Sequence, residues 1–143
     1  TGYLKGNGSG TVTEAVPATQ AEMETATSTA VHVTPGRTQY HPGVAKGFVN
    51  AEATGSPGLS YNVSSVADTG TGQLTVNWTT AFSGGNASYV VVVTPQNADS
   101  SSRCIMISNT TTPTTTATLI NSENCVGTLT DAVRYHVVAF GDQ

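Results

Sequence analysis

The sequence feature that most constrains the fold is the strict alternation of apolar and polar side chains from Gln73 to Thr79, in the run QLTVNWTT. Leu74, Val76 and Trp78 fall on one face of an extended chain, and the polar residues between them fall on the other. A tight turn, DTGTG, precedes this run, and the segment SYNVSSV before the turn also has strand character. The pattern predicts an antiparallel hairpin with one face on a core.

Other short segments extend this pattern and predict about eight strands in total. They read VAKGFVN, SYVVVVT, RCIMIS, TATLIN and VRYHVVAF, and the polar loops PQNADSSS and NTTTPTTTA connect them. SYVVVVT is apolar on both faces, which predicts a central strand covered on both sides. Only 10% of the residues are charged, and Thr and Ser are abundant in their place. Thr favours strands. We therefore predict an all-β chain with an antiparallel β-sandwich or jelly-roll-like fold.

The first 42 residues depart from this β pattern. Residues 1–17 are rich in Gly, Ser and Thr and indicate an extended lead-in or linker. In residues 18–42, Thr19 and Glu22 have capping-box spacing, and Pro35 with Gly36 predicts a turn. The one short helix between them is marginal alone and needs something to dock on. We therefore predict a lead-in over 1–17, a junction over 18–42 and a β-sandwich tip domain over 43–143.

The net charge disfavours nucleic acid as a partner, and the hydropathy disfavours a membrane. The net charge is −4 and the five basic residues are scattered singly, whereas phosphate binding needs clustered Lys and Arg. No apolar run approaches the ~18 to 20 residues of a membrane span, so we expect no membrane insertion. No signal peptide is visible, and the opening TGYLKGNGSGTV indicates a C-terminal fragment or a processed product.

The sequence shows no set of residues with the types and spacing of a catalytic or metal-binding site. His32, His41 and His136 lack metal-site spacing, and the aspartates fall beside turn residues. We therefore expect no enzyme, no cofactor and no metal, with a carboxylate pair for glycoside hydrolysis as the minor alternative. Cys104 and Cys125 could form one disulfide or stay free thiols, because the sequence gives no distance between them.

Three phrases of the sequence resemble virion fibre proteins of tailed bacteriophages. The segment ATQAEMETATSTAVHVTPGRTQYHPGVAK, from Ala18 to Lys46, resembles one that recurs in those proteins. SYNVSSVADTGTGQLTVNWTTAF, from Ser60 to Phe82, is similar to the segment that commonly follows, and TGYLKGNGSGTVT is similar to the lead-in of fibre modules. The link NAEATGSPGL departs from the pattern, and the residues after Phe82 have no such resemblance, which suits a variable tip.

The resemblance implies the C-terminal module of a tail fibre, a receptor-binding protein assembled in the host cytoplasm and carried on the virion. Such proteins are intertwined homotrimers that attach the particle to a bacterial surface glycan or outer-membrane protein. Their N-termini join other tail or fibre proteins. A purely structural virion component, such as a shaft, connector or capsid decoration protein, is the alternative, and a depolymerase is a third class.

If the chain has that function, we expect receptor recognition in the polar loops of the C-terminal half. Asn, Asp and Thr side chains there suit hydrogen bonds to sugars. Tyr89 or Tyr135 could stack on a sugar ring if exposed. The receptor-binding candidates are Gln96, Asn97, Asp99, Ser100, Arg103, Asn109, Thr111, Thr114 and Tyr89. The trimer-interface candidates, all in the junction, are Ala21, Met23, Val31, Val33, Tyr40 and His41. Ordinary surface loops are the alternative for each receptor candidate.

Overall fold

A computed structural model describes residues 3–6, 12–84, 88–97, 101–108 and 110–143. The chain divides into two compact units, Thr1–Val44 and Ala45–Gln143. Across the described ranges, none of the helices has the length and apolar character that a membrane span requires. The predicted all-β sandwich is confirmed, since most described residues of the second unit lie in antiparallel strands.

The first unit contains two strands and two short helices within its described residues. Strands β1 (Tyr3–Gly6) and β2 (Val12–Ala15) pair antiparallel, which the Gly-rich sequence did not predict. Helix α1 spans Gln20–Thr25, where the short helix was predicted. Helix α2 spans Pro35–Thr38, so the predicted turn is one turn of helix with Pro at its start, as that residue allows.

Helix α1 begins with the predicted capping box. The Thr19 N–H donates to Glu22 Oε2 at 2.9 Å, and the Glu22 N–H donates to Thr19 Oγ1 at 3.3 Å. These two reciprocal bonds satisfy N–H groups that a helix start leaves without partners. The Thr19 backbone N–H and then its hydroxyl hold the pKa of Glu22 below its ordinary value of 4.5. Helix α1 ends at Thr25, and the C-cap residue Ala26 follows it with a φ of 51°, which lies in the left-handed region.

The second unit is a sandwich of two antiparallel sheets. The strands are β3 Gly47–Glu52, β4 Pro57–Tyr61, β5 Val63–Gly70, β6 Gln73–Trp78, β7 Tyr89–Gln96, β8 Arg103–Ile107, β9 Ala117–Asn124 and β10 Arg134–Gly141. The first sheet has the strand order β4-β3-β10-β7 and the second sheet has the order β5-β6-β9-β8. The predicted β5–β6 hairpin is confirmed, with Val66 opposite Val76.

The core lies between the sheets and uses the alternation seen in the sequence. Leu74, Val76 and Trp78 of β6 are buried, as predicted. Tyr135 and Val137 are buried from β10 of the opposite sheet and belong to the same apolar cluster. Because alternate residues of each strand point away from this core, each sheet also has an outer face.

A single residue, Asn62, carries the chain from the first sheet to the second. The predicted strand SYNVSSV is therefore wrong as one element, because β4 ends at Tyr61 and β5 begins at Val63. Asn62 has a φ of 56°, a conformation that Asn tolerates better than most residues. Its side-chain amide donates to Lys46 O at 2.9 Å and accepts the Thr80 N–H at 2.6 Å, which ties the strand ends together.

The prediction that SYVVVVT is central and covered on both sides is wrong. Strand β7 lies at an edge of the first sheet, next to β10. Val91 and Val93 pack on the core, but Val90 and Val92 on the outer face are 65% and 53% exposed. A sandwich of two layers covers one face of each sheet, so the second apolar face of β7 is left open within one chain.

Candidate functional site

The candidate site is built by the loop between β8 and β9, of which residues 108 and 110–116 are described. Hydroxyl groups of these residues hold the shape of the loop. Ser108 is buried, and its Oγ accepts the N–H groups of Thr110 and Thr111, each at 3.3 Å. Thr114 Oγ1 accepts the Ala117 N–H at 3.0 Å. Ser and Thr hydroxyls bonded to nearby backbone in this way form turns, so both ends of the loop are fixed.

This loop and the outer face of the second sheet border an open groove of about 370 Å³. Among the described residues that line it, the polar side chains are six threonines and one glutamine, and no charged side chain takes part. Two apolar residues add a short non-polar surface. The lining residues are Thr69, Gln73 and Thr75 from the β5–β6 hairpin, Thr110, Thr111, Thr112 and Thr114 from the loop, and Ala117 and Leu119 from β9. We call this surface the threonine groove.

Tyr89 attaches the loop to the core. Its hydroxyl donates to Thr114 O at 2.8 Å and lies 2.7 Å from Thr118 Oγ1. Its ring stacks on Phe82 with 4.0 Å between the ring centroids. The condition for stacking on a sugar is not met in this chain, because Tyr89 is only 7% exposed and Tyr135 is buried as well. A receptor-binding role for Tyr89 stays a prediction. Both residues occupy core-facing positions of their strands, so Tyr89 positions the groove without reaching its surface.

The other described receptor-binding candidates lie at opposite ends of the sandwich. Thr111 and Thr114 lie together in the threonine groove. Gln96 ends β7, whereas Tyr89 at the start of β7 is bonded to the groove loop. At ~3.3 Å per residue, this strand puts the two ends of the sandwich roughly 23 Å apart.

At the far end, the side chains of two candidates bond nearby backbone carbonyls. Asn97 Nδ2 donates to Ser101 O at 2.8 Å, and Arg103 Nε donates to Asp131 O at 3.4 Å. A receptor-binding role for Gln96, Asn97 and Arg103 stays a prediction. Three further candidates lie outside the described residues, namely Asp99, Ser100 and Asn109.

The sequence did not assign Thr69, Gln73 and Thr75 to a site. The sequence pattern does place two of these residues on a common surface. Gln73 and Thr75 alternate with core residues, so they belong to the outer face of the predicted hairpin. The sequence does not show that the loop after β8 lies beside this face. That neighbourhood arises because β9 pairs with both β6 and β8.

The trimer-interface candidates differ in their exposure. The side chain of Met23 is buried within the described chain, as the apolar face of a short helix requires. Val33 is exposed, and Tyr40 is half-buried with the Arg37 guanidinium 5.8 Å from its ring centroid. For all six candidates a trimer contact stays a prediction, and they are Ala21, Met23, Val31, Val33, Tyr40 and His41.

Cys104 and Cys125 form a disulfide in the structure, with 5.5 Å between their Cα atoms. The bond joins β8 to the chain just after β9, 21 residues away in the sequence. It lies next to the paired residues Arg103 and Asn124, at the ends of β8 and β9 away from the loop that builds the threonine groove. Within the described residues, no cluster of three or more His, Cys, Asp or Glu could hold a metal ion.

No protein-family model matches this chain, and no curated protein matches its sequence. Among solved structures, it is similar to the phiAB6 tailspike, in a crystal structure with three-repeated oligosaccharides of Acinetobacter baumannii surface polysaccharide. The TM-score is 0.46 and the identity 12%, over 70% of this chain and 20% of the tailspike chain. The chain thus spans about a fifth of that protein, and so low a similarity establishes no family.

Proposed function

We propose that this chain is the tip module of a bacteriophage fibre and attaches the virion to a glycan on the bacterial surface. The observation that carries the proposal is the threonine groove, with its uncharged, hydroxyl-rich lining. A threonine hydroxyl both donates and accepts hydrogen bonds, as do the hydroxyls of a sugar. Leu119 and Ala117 add an apolar surface against which the C–H face of a sugar ring can lie.

The groove favours binding over cleavage. Glycoside hydrolysis normally uses two carboxyl groups, ~5 to 10 Å apart, on either side of the scissile bond. Among the described residues that line the groove there is no Asp or Glu. We therefore propose a binding module that leaves its glycan intact.

The sequence resemblance supports the place of the module in the virion. We propose that residues 1–17 are the lead-in, residues 18–42 the junction and residues 43–143 the tip, with the N-terminus joined to other tail or fibre proteins. We further propose that the fibre is a homotrimer. Three weak sites on one particle bind a repetitive surface far more tightly than one site does, because each binding event raises the effective concentration for the next.

The test measures binding of the labelled full chain to a panel of bacterial strains and to surface polysaccharide extracted from any strain that it binds. Thr75→Val and Thr111→Val each remove one groove hydroxyl while keeping the side chain's shape. We expect each to weaken single-site binding by roughly 3- to 10-fold, as one lost hydrogen bond does. Thr54→Val, in the exposed turn between β3 and β4, is the matched control and should bind like the unmodified chain.

Three outcomes would contradict the proposal. Groove variants that bind as well as Thr54→Val would place recognition elsewhere on the chain. An absence of binding to every strain and polysaccharide would favour a purely structural virion component. Release of reducing sugar from a bound polysaccharide would show a depolymerase.

A further inference from the structure

A second groove borders the same loop that builds the threonine groove. It opens between the first residues of β7 and the end of β8, which are edge strands of the two sheets. Its volume is about 510 Å³. The apolar side chains among its described lining residues are Tyr89, Val90, Val91, Ile107 and Pro113. We call this surface the valine groove.

The two grooves share one wall. Thr112 lines both of them, whereas the adjacent Thr111 lines the threonine groove and the adjacent Pro113 lines the valine groove. Because Thr111 and Pro113 are two positions apart in the chain, their Cα atoms lie within ~7 Å of each other. A chain of linked sugars that fills one groove therefore reaches the other by crossing a single residue of the loop.

The side chains that line the valine groove also hold this shared wall in place. Tyr89 lines the valine groove, and its hydroxyl donates to Thr114 O at 2.8 Å. The buried Ser108 also lines it, and its Oγ accepts the N–H groups of Thr110 and Thr111, each at 3.3 Å. The two grooves are thus connected by fixed contacts within the chain. A surface that is already ordered loses little conformational entropy when a ligand binds.

The chemistry of the valine groove complements that of the threonine groove. The polar side chains of the threonine groove suit the hydroxyl groups of a sugar, which both donate and accept hydrogen bonds. The valine groove instead offers mainly apolar surface, and Val90 in it is 65% exposed. A ligand that covers Val90 removes apolar surface from water, which favours binding. The apolar C–H face of a sugar ring fits this surface.

The charges of the chain disfavour an acidic ligand across both grooves. None of the described residues that line either groove carries a charged side chain. A carboxylate or phosphate group on a sugar would lose water there without gaining a cationic partner. The net charge of the chain is −4, which repels an acidic polysaccharide before contact.

We propose that the threonine groove and the valine groove form one continuous site for an uncharged glycan of at least two linked sugars. One sugar bonds the hydroxyls of the threonine groove, and the next lays its C–H face on the valine groove after crossing Thr112. This inference rests on the proposed function and adds to it the charge class of the glycan and the length that the site holds.

The first test uses the unmodified full chain and isothermal titration calorimetry. The probes are fragments, separated by length, of each polysaccharide that the chain binds. We expect the affinity to rise about tenfold once a fragment is long enough to enter the valine groove, as burial of roughly 60 Å² of apolar surface gives. We expect this affinity to stay constant between ~50 mM and ~500 mM NaCl, because salt screens only interactions between charges.

The second test uses matched variants. Val90→Thr exchanges a methyl group for a hydroxyl in the valine groove and should weaken binding of the longer fragments by roughly 3- to 10-fold, because the hydroxyl is buried against apolar surface. Binding of the shortest fragments should not change. Val92→Thr makes the same exchange on the same strand at a 53% exposed residue that does not line the groove, and it should bind like the unmodified chain. Thr75→Val should weaken binding of fragments of every length.

The outcomes separate this inference from the proposed function. If Val90→Thr matches Val92→Thr at every length while Thr75→Val binds more weakly, this inference is overturned and the proposed function stands. If no fragment binds, or if Thr75→Val has no effect, both are contradicted. An affinity that does not rise with length, or that changes several-fold with salt, also overturns the inference. These two readouts need no variant, so misfolding of Val90→Thr, which circular dichroism would reveal, does not remove the test.

Discussion

Replacing Tyr89 by Phe should destabilise the sandwich and loosen the threonine groove together. The substitution removes only the hydroxyl, which bonds Thr114 O at 2.8 Å and Thr118 Oγ1 at 2.7 Å. The stack of the ring on Phe82 is retained, so packing changes little. Thr118 keeps the hydrogen bond that the Trp78 indole donates at 3.3 Å, but Thr114 loses the bond that holds the loop to the core.

The expected loss follows from these contacts. A buried hydrogen bond contributes about 1 kcal/mol net, and an acceptor left unpaired adds to the cost, so we expect Tyr89→Phe to lower the free energy of unfolding by about 2 kcal/mol. For a unit of this size, that corresponds to a fall in Tm of roughly 10 °C. Chemical denaturation gives the free energy, and calorimetry gives the Tm.

Tyr61→Phe is the matched control, because the same hydroxyl is removed from a ring that is 53% exposed. We expect its free energy of unfolding to change by less than about 0.5 kcal/mol. Tyr89→Phe should also weaken glycan binding in the groove, whereas the control should not. A Tyr89→Phe variant as stable as Tyr61→Phe would refute the claim that this hydroxyl holds the loop.

Three further predictions concern the framework around the site. Asn62→Ala should lower the free energy of unfolding by about 3 kcal/mol, and Asn62→Gly should lower it by about 1 kcal/mol less, because Gly tolerates the φ of 56° that Ala does not. Equal losses of this free energy in urea unfolding would contradict the explanation by backbone strain. Replacing Cys104 and Cys125 by Ser should lower the free energy of unfolding by about 3 kcal/mol, as expected for a loop of this length, and an unchanged denaturation midpoint would contradict it. Because its pKa is lowered, Glu22 stabilises helix α1 fully above pH 4.5 and loses this effect as the pH falls through the lowered pKa. Amide NMR signals of Thr19 that do not respond to this titration, or that respond equally in Glu22→Gln, would disprove the linkage.

The parts of the fold that depend on neighbours in the sequence could be predicted. The capping box of Thr19 and Glu22 spans three residues, and the β5–β6 hairpin needs only its own alternation and a tight turn. In each case the physical cause is local. In the first, a side chain bonds a nearby N–H group, and in the second, alternate residues of one strand pack on the core. Such features can be found without knowing what else packs against them.

The errors concern features that depend on distant strands. The position of β7 at a sheet edge, for example, follows from its pairing with β10. The division of SYNVSSV at Asn62 follows from bonds to Lys46 and Thr80. The threonine groove likewise combines two segments more than 30 residues apart, and no local pattern shows that they meet.

The most direct test of the central claim is NMR chemical-shift mapping of the full chain with an oligosaccharide from a polysaccharide that it binds. The threonine groove predicts the largest amide shifts at Thr69, Thr75 and Thr111, with saturation on titration. Shifts concentrated at Gln96 and Asn97, or shifts spread evenly over the surface, would contradict the account.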